Sequence, residues 1–225
     1  MASGKFIVID GTDGSGKATQ TEILVKQLEQ FGRAVFKISF PQYHKPSAGL
    51  ITNYLNGDYG TAAEVGPYRA SIFYACDRFD ASRVIKQALD EGKIVVADRY
   101  VLSNMAHQGG KIADAAERAK FFAWLDHLEF SLFQIPRPDL NLILHVPPQI
   151  GQHLVDAKDK RVYLKEGQRD IHEADLDHLR LAEAIYLDLA RTMPKTELIE
   201  CAAKEQIMSR EVIATLIWET VKLII

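Results

Sequence analysis

Cysteine is nearly absent from this 225-residue chain: Cys76 and Cys201 stand far apart and form no CxxC pair. That excludes a disulfide framework and a cysteine zinc site, and it fits a reducing compartment. Also lacking is any apolar run near the ~20 residues that a membrane helix needs. The apolar pattern that begins at Phe6 is too short for a secretory signal, so a cytoplasmic protein with no membrane partner is expected. Neither sign of charge dominates, with 27 Lys and Arg against 30 Asp and Glu and a formal net charge of −3. No nucleic-acid partner is therefore expected, and any basic site for a phosphorylated ligand must be local. Repeats, low-complexity segments and dividing linkers are missing too, so residues 1–225 are expected to form a single domain.

What is present is an alternation of short apolar runs with longer stretches of helical period. Phe6 to Ile9 reads as a strand buried on both faces and ends at Asp10-Gly11. Gly16 to Phe31 places Ile23, Leu24, Leu28 and Phe31 at helical spacing, and Gly32 is a natural stop. Ala34 to Phe40 gives a second strand. Pro67 opens a long helix through Ile72, Phe73, Val84, Ile85 and Leu89 to Gly92. Lys93 to Ala97 forms a third strand. A helix is expected over Ala113 to Phe133, with Phe121, Phe122, Leu125, Leu128 and Leu132 on one face. Leu140 to Val146 follows as a fourth strand. A charged stretch, Asp156 to Glu173, precedes a helix to about Met193; Thr196 to Ile199 is a fifth strand, and a last helix starts near Glu205. Such an order predicts an α/β fold, a doubly wound five-stranded parallel sheet with ligands at the carboxyl ends of its strands.

The segment Gly11-Thr12-Asp13-Gly14-Ser15-Gly16-Lys17 lies between the first strand and the first helix. Glycines let successive backbone N–H groups turn toward one centre, and the helix N-terminus adds positive potential. Lys17 would reach the β- and γ-phosphates of a nucleoside triphosphate. A glycine-rich turn with an exposed lysine is the plainer alternative. The next position usually supplies a hydroxyl to Mg²⁺, and here it is Ala18; Thr19 is no substitute, because one helical residue turns a side chain by about 100°. Either the metal is held through water and carboxylates, with Asp13 and Asp98 assisting, or the loop binds nucleotide without efficient chemistry. The first is the expectation.

Asp98-Arg99-Tyr100 follows the third strand, where a guanidinium suits bidentate phosphate recognition. A simple ion pair at the strand end is the alternative. Several segments in order then give the chain a resemblance to the thymidylate kinase family. They are the loop up to Gln20, Phe40-Pro41-Gln42-Tyr43, Ala75-Cys76-Asp77-Arg78, Asp98 through Asn104, Gln108-Gly109-Gly110, and Pro136-Arg137-Pro138-Asp139. The resemblance covers nearly the whole chain. It implies a P-loop nucleoside triphosphate hydrolase-like fold, ATP and Mg²⁺ as cofactors, dTMP as acceptor and a homodimer.

Residue by residue, the resemblance implies that Gly11 to Thr19 cradle ATP and that Asp13 touches the acceptor's 3′-hydroxyl near the metal. Arg99 would clamp the acceptor phosphate, Asp98 would support metal, and Tyr43, beside Phe40, would hydrogen-bond that phosphate. Tyr74 would stack on thymine while Arg78, four residues on and on the same helix face, reaches a base carbonyl. Ser103, Asn104 and Gln108 would line the base edge. His107 stands where relatives tend to carry Tyr or Phe beside the sugar. The duller readings are core packing for Tyr74, an ion pair on its own helix for Arg78, helix-entry or loop roles for Asn104 and Gln108, and a plain, partly exposed histidine for His107.

Phosphoryl transfer requires cations where charge spreads over the moving group. In the family these follow the loop Asp directly or come from a lid. Gly14 carries no charge, so the charged segment near 156–173 is expected to act as lid, with Arg161 and Arg169 catalytic. In the family the loop Cys201 to Lys204 lies against adenine. The expected activity is dTMP kinase. A kinase for another nucleoside monophosphate is one alternative, and an inactive nucleotide-binding relative serving as partner protein is another.

Overall fold

In the computed structural model, which describes residues 4–151, 176–204 and 206–225, five strands alternate with helices. The strands are β1 (Lys5–Gly11), β2 (Val35–Ser39), β3 (Ile94–Asp98), β4 (Leu140–His145) and β5 (Thr196–Glu200). The helices are α1 (Lys17–Gln30), α2 (Gly49–Leu55), α3 (Ala62–Asp90), α4 (Val101–Gly109), α5 (Ala115–Asp126), α6 (Leu176–Thr192) and α7 (Arg210–Val221). The sheet order is β2-β3-β1-β4-β5, with every neighbouring pair parallel. No helix among the described residues is long and apolar enough to cross a membrane.

Alternation along each strand divides the core between two faces. Phe6, Val8, Val95 and Ala97 pack with Ile85, Met105, Phe121 and Tyr186 from α3, α4, α5 and α6. Ile7, Ile9, Val96 and Leu142 pack with Leu24 and Leu28 of α1 and Ile213 and Ile217 of α7. At roughly 1.5–3 kcal/mol for each large apolar side chain withdrawn from water, these two layers hold the sheet in place. The doubly wound arrangement is as expected, and its order brings the ends of β1 and β3 side by side, with Ile9 opposite Asp98.

Several boundaries differ from the sequence reading. Helix α3 starts at Ala62, where Thr61 and Glu64 form a capping box; Pro67 begins only its second piece, after Gly66 leaves helical geometry at φ 74°. The helix expected to Phe133 ends as α5 at Asp126, and a wide π turn follows over His127–Leu132. Leu132, expected on one face with Phe121 and Leu125, is therefore 63% exposed while those two are buried. The last helix begins later than expected: Gln206–Ile207 pairs antiparallel with Ala202–Ala203, and α7 begins after Ser209, whose hydroxyl accepts from the Val212 amide. Helices α2 and α4 have no counterpart in the sequence reading.

Candidate active site

The phosphate loop leaves β1 through three glycines with positive φ, Gly11 (143°), Gly14 (80°) and Gly16 (83°). Two of them are also sterically required. A Cβ on Gly11 would lie 2.2 Å from the Leu144 carbonyl oxygen, and one on Gly14 would lie 2.2 Å from that of Gly151. Thr12 ties the loop to the residue just past β4 by donating its hydroxyl to the Val146 carbonyl at 2.9 Å. Lys17 curls back over the loop, its Nζ donating to the carbonyls of Gly11 (3.0 Å) and Thr12 (2.7 Å). Burial, with the Arg99 guanidinium nearby, pulls the Lys17 ammonium down to about 7, against the opposing pull of Asp13.

Arg99 reaches this loop from the end of β3. Its backbone is left-handed, at φ 67°, a conformation uncommon outside glycine. Its Nη2 is hydrogen-bonded to the Asp13 carboxylate and its Nη1 donates to Ser103 Oγ at 3.3 Å. Burial alone would raise the Asp13 carboxyl, but Arg99 and Lys17 outweigh it and hold that group well below the usual carboxylate range. Beside the pair sits Asp10, fully buried at the end of β1 and raised by that burial. Among the described residues, Asp10 Oδ2 and Asp98 Oδ1 are buried without a hydrogen-bond partner. Unsatisfied buried oxygens are costly, and these two suit a cation or its bound waters. No group of three His, Cys, Asp or Glu side chains among the described residues is placed to enclose a metal. The residues therefore fit a magnesium ion held largely by water and phosphate oxygens.

A glycine loop with a buried lysine, faced by a guanidinium that a loop carboxylate secures, can accept two phosphorylated groups of opposite roles. Comparison with known proteins agrees. Residues 9–212 match the family model described as thymidylate kinase. The chain belongs to the thymidylate kinase family. It is 30% identical over 187 residues to the thymidylate kinase of Mycobacterium tuberculosis, covering 82% of this chain and 85% of that one. It is 31% identical over 215 residues to that of Clavibacter sepedonicus, covering 94% and 92%. The solved thymidylate kinase of Candida albicans superposes with a TM-score of 0.75 at 22% identity, over 99% of this chain and 93% of that one, which shows a shared fold. Family membership makes the chain a nucleoside monophosphate kinase, a phosphotransferase.

Within this thymidylate kinase framework the expected residues fall into three groups. Asp13, Lys17, Asp98, Arg99 and Ser103 come together at the ends of β1 and β3. Ala18 is exposed and Thr19 half-buried in the first turn of α1. Tyr43 lies at the surface beyond β2, and Tyr74 is half-buried against Ile51, Tyr54 and Leu55. His107 faces the cluster from α4, where its Nδ1 meets His178 Nε2 at 3.2 Å. Burial drives the His107 imidazolium far below its ordinary value, so the ring is neutral at pH 7; Asp13 opposes that shift and His178 adds to it.

Four assignments are corrected or narrowed by their surroundings. Arg78 is only 2% exposed, and its guanidinium forks onto Glu129, with Nε donating to the two carboxylate oxygens at 3.0 and 3.1 Å. Neither a base carbonyl nor an acid on its own helix is its partner; the π turn supplies that acid. Phe40, 6% exposed, packs its ring against Tyr100 with centroids 5.7 Å apart and serves the core. Asn104 donates to the Ser71 carbonyl and accepts from its hydroxyl, both at 3.2 Å, so its amide joins α4 to α3. Gln108 Oε1 accepts from Lys111 at 2.8 Å. Arg161 and Arg169, with the expected lid near 156–173, lie outside the described residues. Sequence reasoning missed Asp10, Ser71, Glu129, His178 and Tyr186, whose partners stand far along the chain. Only Asp10, at the strand end beside the loop, had a local signal.

Proposed function

We propose that this chain transfers the γ-phosphoryl group of ATP to the 5′-phosphate of dTMP, giving dTDP and ADP, with Mg²⁺ as the metal. One observation carries the reading: Arg99 is joined to the phosphate loop through Asp13, whose Oδ1 also lies 4.0 Å from Lys17 Nζ. A cation for the acceptor phosphate and a cradle for the donor phosphates thus share one mouth. On binding, the Lys17 ammonium leaves the loop carbonyls for the β- and γ-oxygens, and the loop amides grip the same group. Arg99 presents the acceptor phosphate, one oxygen of which attacks the γ-phosphorus as the bond to the ADP oxygen breaks. Asp13, Asp98 and Asp10 would hold Mg²⁺ through its waters, and the bound ion would supply charge neutralisation. Tyr74 offers its ring to the base, Tyr43 its hydroxyl to the acceptor phosphate, and Arg161 and Arg169 supply charge to the transition state.

A cytoplasmic homodimer is part of the same proposal. Tyr68, Ile72 and Phe79 lie within about 40° of one another around α3, at about 100° per residue. Their exposures of 41%, 39% and 53% support an apolar face that a second copy would cover. Sedimentation analysis tests it, and a monomer at micromolar concentration refutes it. For the reaction, ADP release is measured with ATP, Mg²⁺ and dTMP, with each omitted, and across a panel of nucleoside monophosphates. Release should need all three and be fastest with dTMP; a strong preference for another acceptor ends the dTMP assignment. Arg161→Ala and Arg169→Ala should lower turnover far more than ATP affinity, and equal losses would assign them to ground-state binding.

A further inference from the structure

Ser103 is the meeting point of three side chains from three elements. Its Oγ is hydrogen-bonded to Asp10 Oδ1 on β1, lies 3.0 Å from Tyr186 Oη on α6, and receives Arg99 Nη1 at 3.3 Å. A serine hydroxyl has one proton and two lone pairs. Asp10 Oδ1 also faces the Tyr100 N–H at 3.4 Å and is thus an accepting oxygen, so Ser103 gives its proton there and both lone pairs remain for donors. Tyr186 must then donate to Ser103, as Arg99 does, and every valence of the hydroxyl is used. Tyr186 is 1% exposed, and burial keeps its phenol protonated and able to donate.

We infer that Tyr186 is a positioning residue for Arg99, acting through Ser103; the inference rests on the kinase reading given above. The Arg99 main chain is fixed independently. Its N–H donates to the Ile9 carbonyl at 2.9 Å, and the next amide, Tyr100 N–H, points to Asp10 Oδ1 at 3.4 Å. What the backbone leaves free is the far end of a long side chain. Asp13 holds one nitrogen of that end, and the Ser103 hydroxyl, oriented from behind by Asp10 and Tyr186, holds the other. Removing the Tyr186 hydroxyl leaves a buried lone pair unmatched and lets the Ser103 hydroxyl rotate away from Arg99. The acceptor phosphate then meets a guanidinium held at one point, and alignment with the donor phosphate is poorer.

The test compares Tyr186→Phe, Ser103→Ala and the double variant with wild type. Tyr186→Phe should lower kcat for dTMP by about three- to tenfold, the worth of one hydrogen bond. KM for ATP and the thermal midpoint should stay close to wild type. The double variant should lose no more than Ser103→Ala alone, because both act on one contact. Unchanged kcat in Tyr186→Phe, or losses that multiply, overturn the inference, as does a loss matched by equal destabilisation. Should Tyr186→Phe fail to fold, Ser103→Ala must itself show the kcat-selective loss, or the inference falls. Crystal structures of wild type and both single variants supply a readout independent of activity: the Arg99 guanidinium should leave its wild-type position only in the variants. A wild-type enzyme inert toward dTMP overturns the function, while those structures still decide the positioning.

Discussion

Arg99 and Asp13 form an ion pair between the ends of two adjacent strands, β3 and β1, with the Asp13 side chain 10% exposed and that of Arg99 23% exposed. The pair holds the guanidinium beside the phosphate loop, where the proposed reaction needs it. Arg99→Ala should lower kcat/KM for the acceptor by about 10²–10³, in the range for removing one pre-placed donor. Arg99→Lys should recover little, because an ammonium cannot bridge Asp13 and Ser103 together. Steady-state kinetics with varied dTMP measure both, and an active alanine variant would remove Arg99 from the reaction.

In the proposed reaction Lys17 should make nucleotide binding pH-dependent. With its ammonium drawn down to about 7, the free protein has lost most of that proton at pH 8, and bound phosphates would restore it. Calorimetric titration of ATP at pH 8 in buffers of different ionisation heat should show uptake of close to one proton, fading by pH 6. Lys17→Met should show none. The stability sign is opposite to that of a salt-bridged lysine: between about 7 and the ordinary 10.5 the unfolded chain holds more protons, so the free protein gains stability as pH rises through that window. A flat proton balance at pH 8 contradicts the depressed ammonium.

Gly14 and Gly32 have the same φ of 80°, yet only Gly14 has backbone within reach of an added Cβ. Gly32→Ala should cost about 1–2 kcal/mol, the strain of a left-handed alanine. Gly14→Ala should cost more and weaken ATP binding as well, since the loop must move off Gly151. Chemical denaturation with ATP titration separates the two effects. Equal costs and intact ATP binding would mean the loop yields freely.

The Arg78–Glu129 pair is enclosed, with side chains 3% and 0% exposed. Glu129→Ala should destabilise by about 3–5 kcal/mol, because a guanidinium is left buried without its acid. Arg78→Met combined with Glu129→Met should recover most of that loss. Denaturant midpoints decide it, and a mild effect of the single change would show that water reaches the site.

Much of this was legible in the chain itself. The strands announced themselves by short branched runs such as Phe6 to Ile9, and the loop by glycines and a lysine set between a strand and a helix. What escaped was set by contacts between distant segments. Arg78 looks like a binding residue until Glu129, 51 positions away, is brought against it. Helix α4 is short, and Tyr100 gives it no side-chain cap, so no helix was read there, although its polar Ser103 and Asn104 are both buried. Pro67 signalled a helix start correctly for the piece after the Gly66 break, while the capping box at Thr61 and Glu64 had already begun one.

The π turn after α5 has a further consequence. There the Phe133 amide bonds the Leu128 carbonyl, five positions back, so the chain carries one residue more than a regular turn would hold. Deleting a single residue between His127 and Leu132 would let an ordinary helix close, swinging everything beyond by about 100° and carrying the Glu129 carboxylate off its guanidinium. The segment is thus far less forgiving of a shortened chain than of an altered side chain on its outer surface. Its length, as much as the acid it carries, is what keeps a positive charge at peace inside the protein.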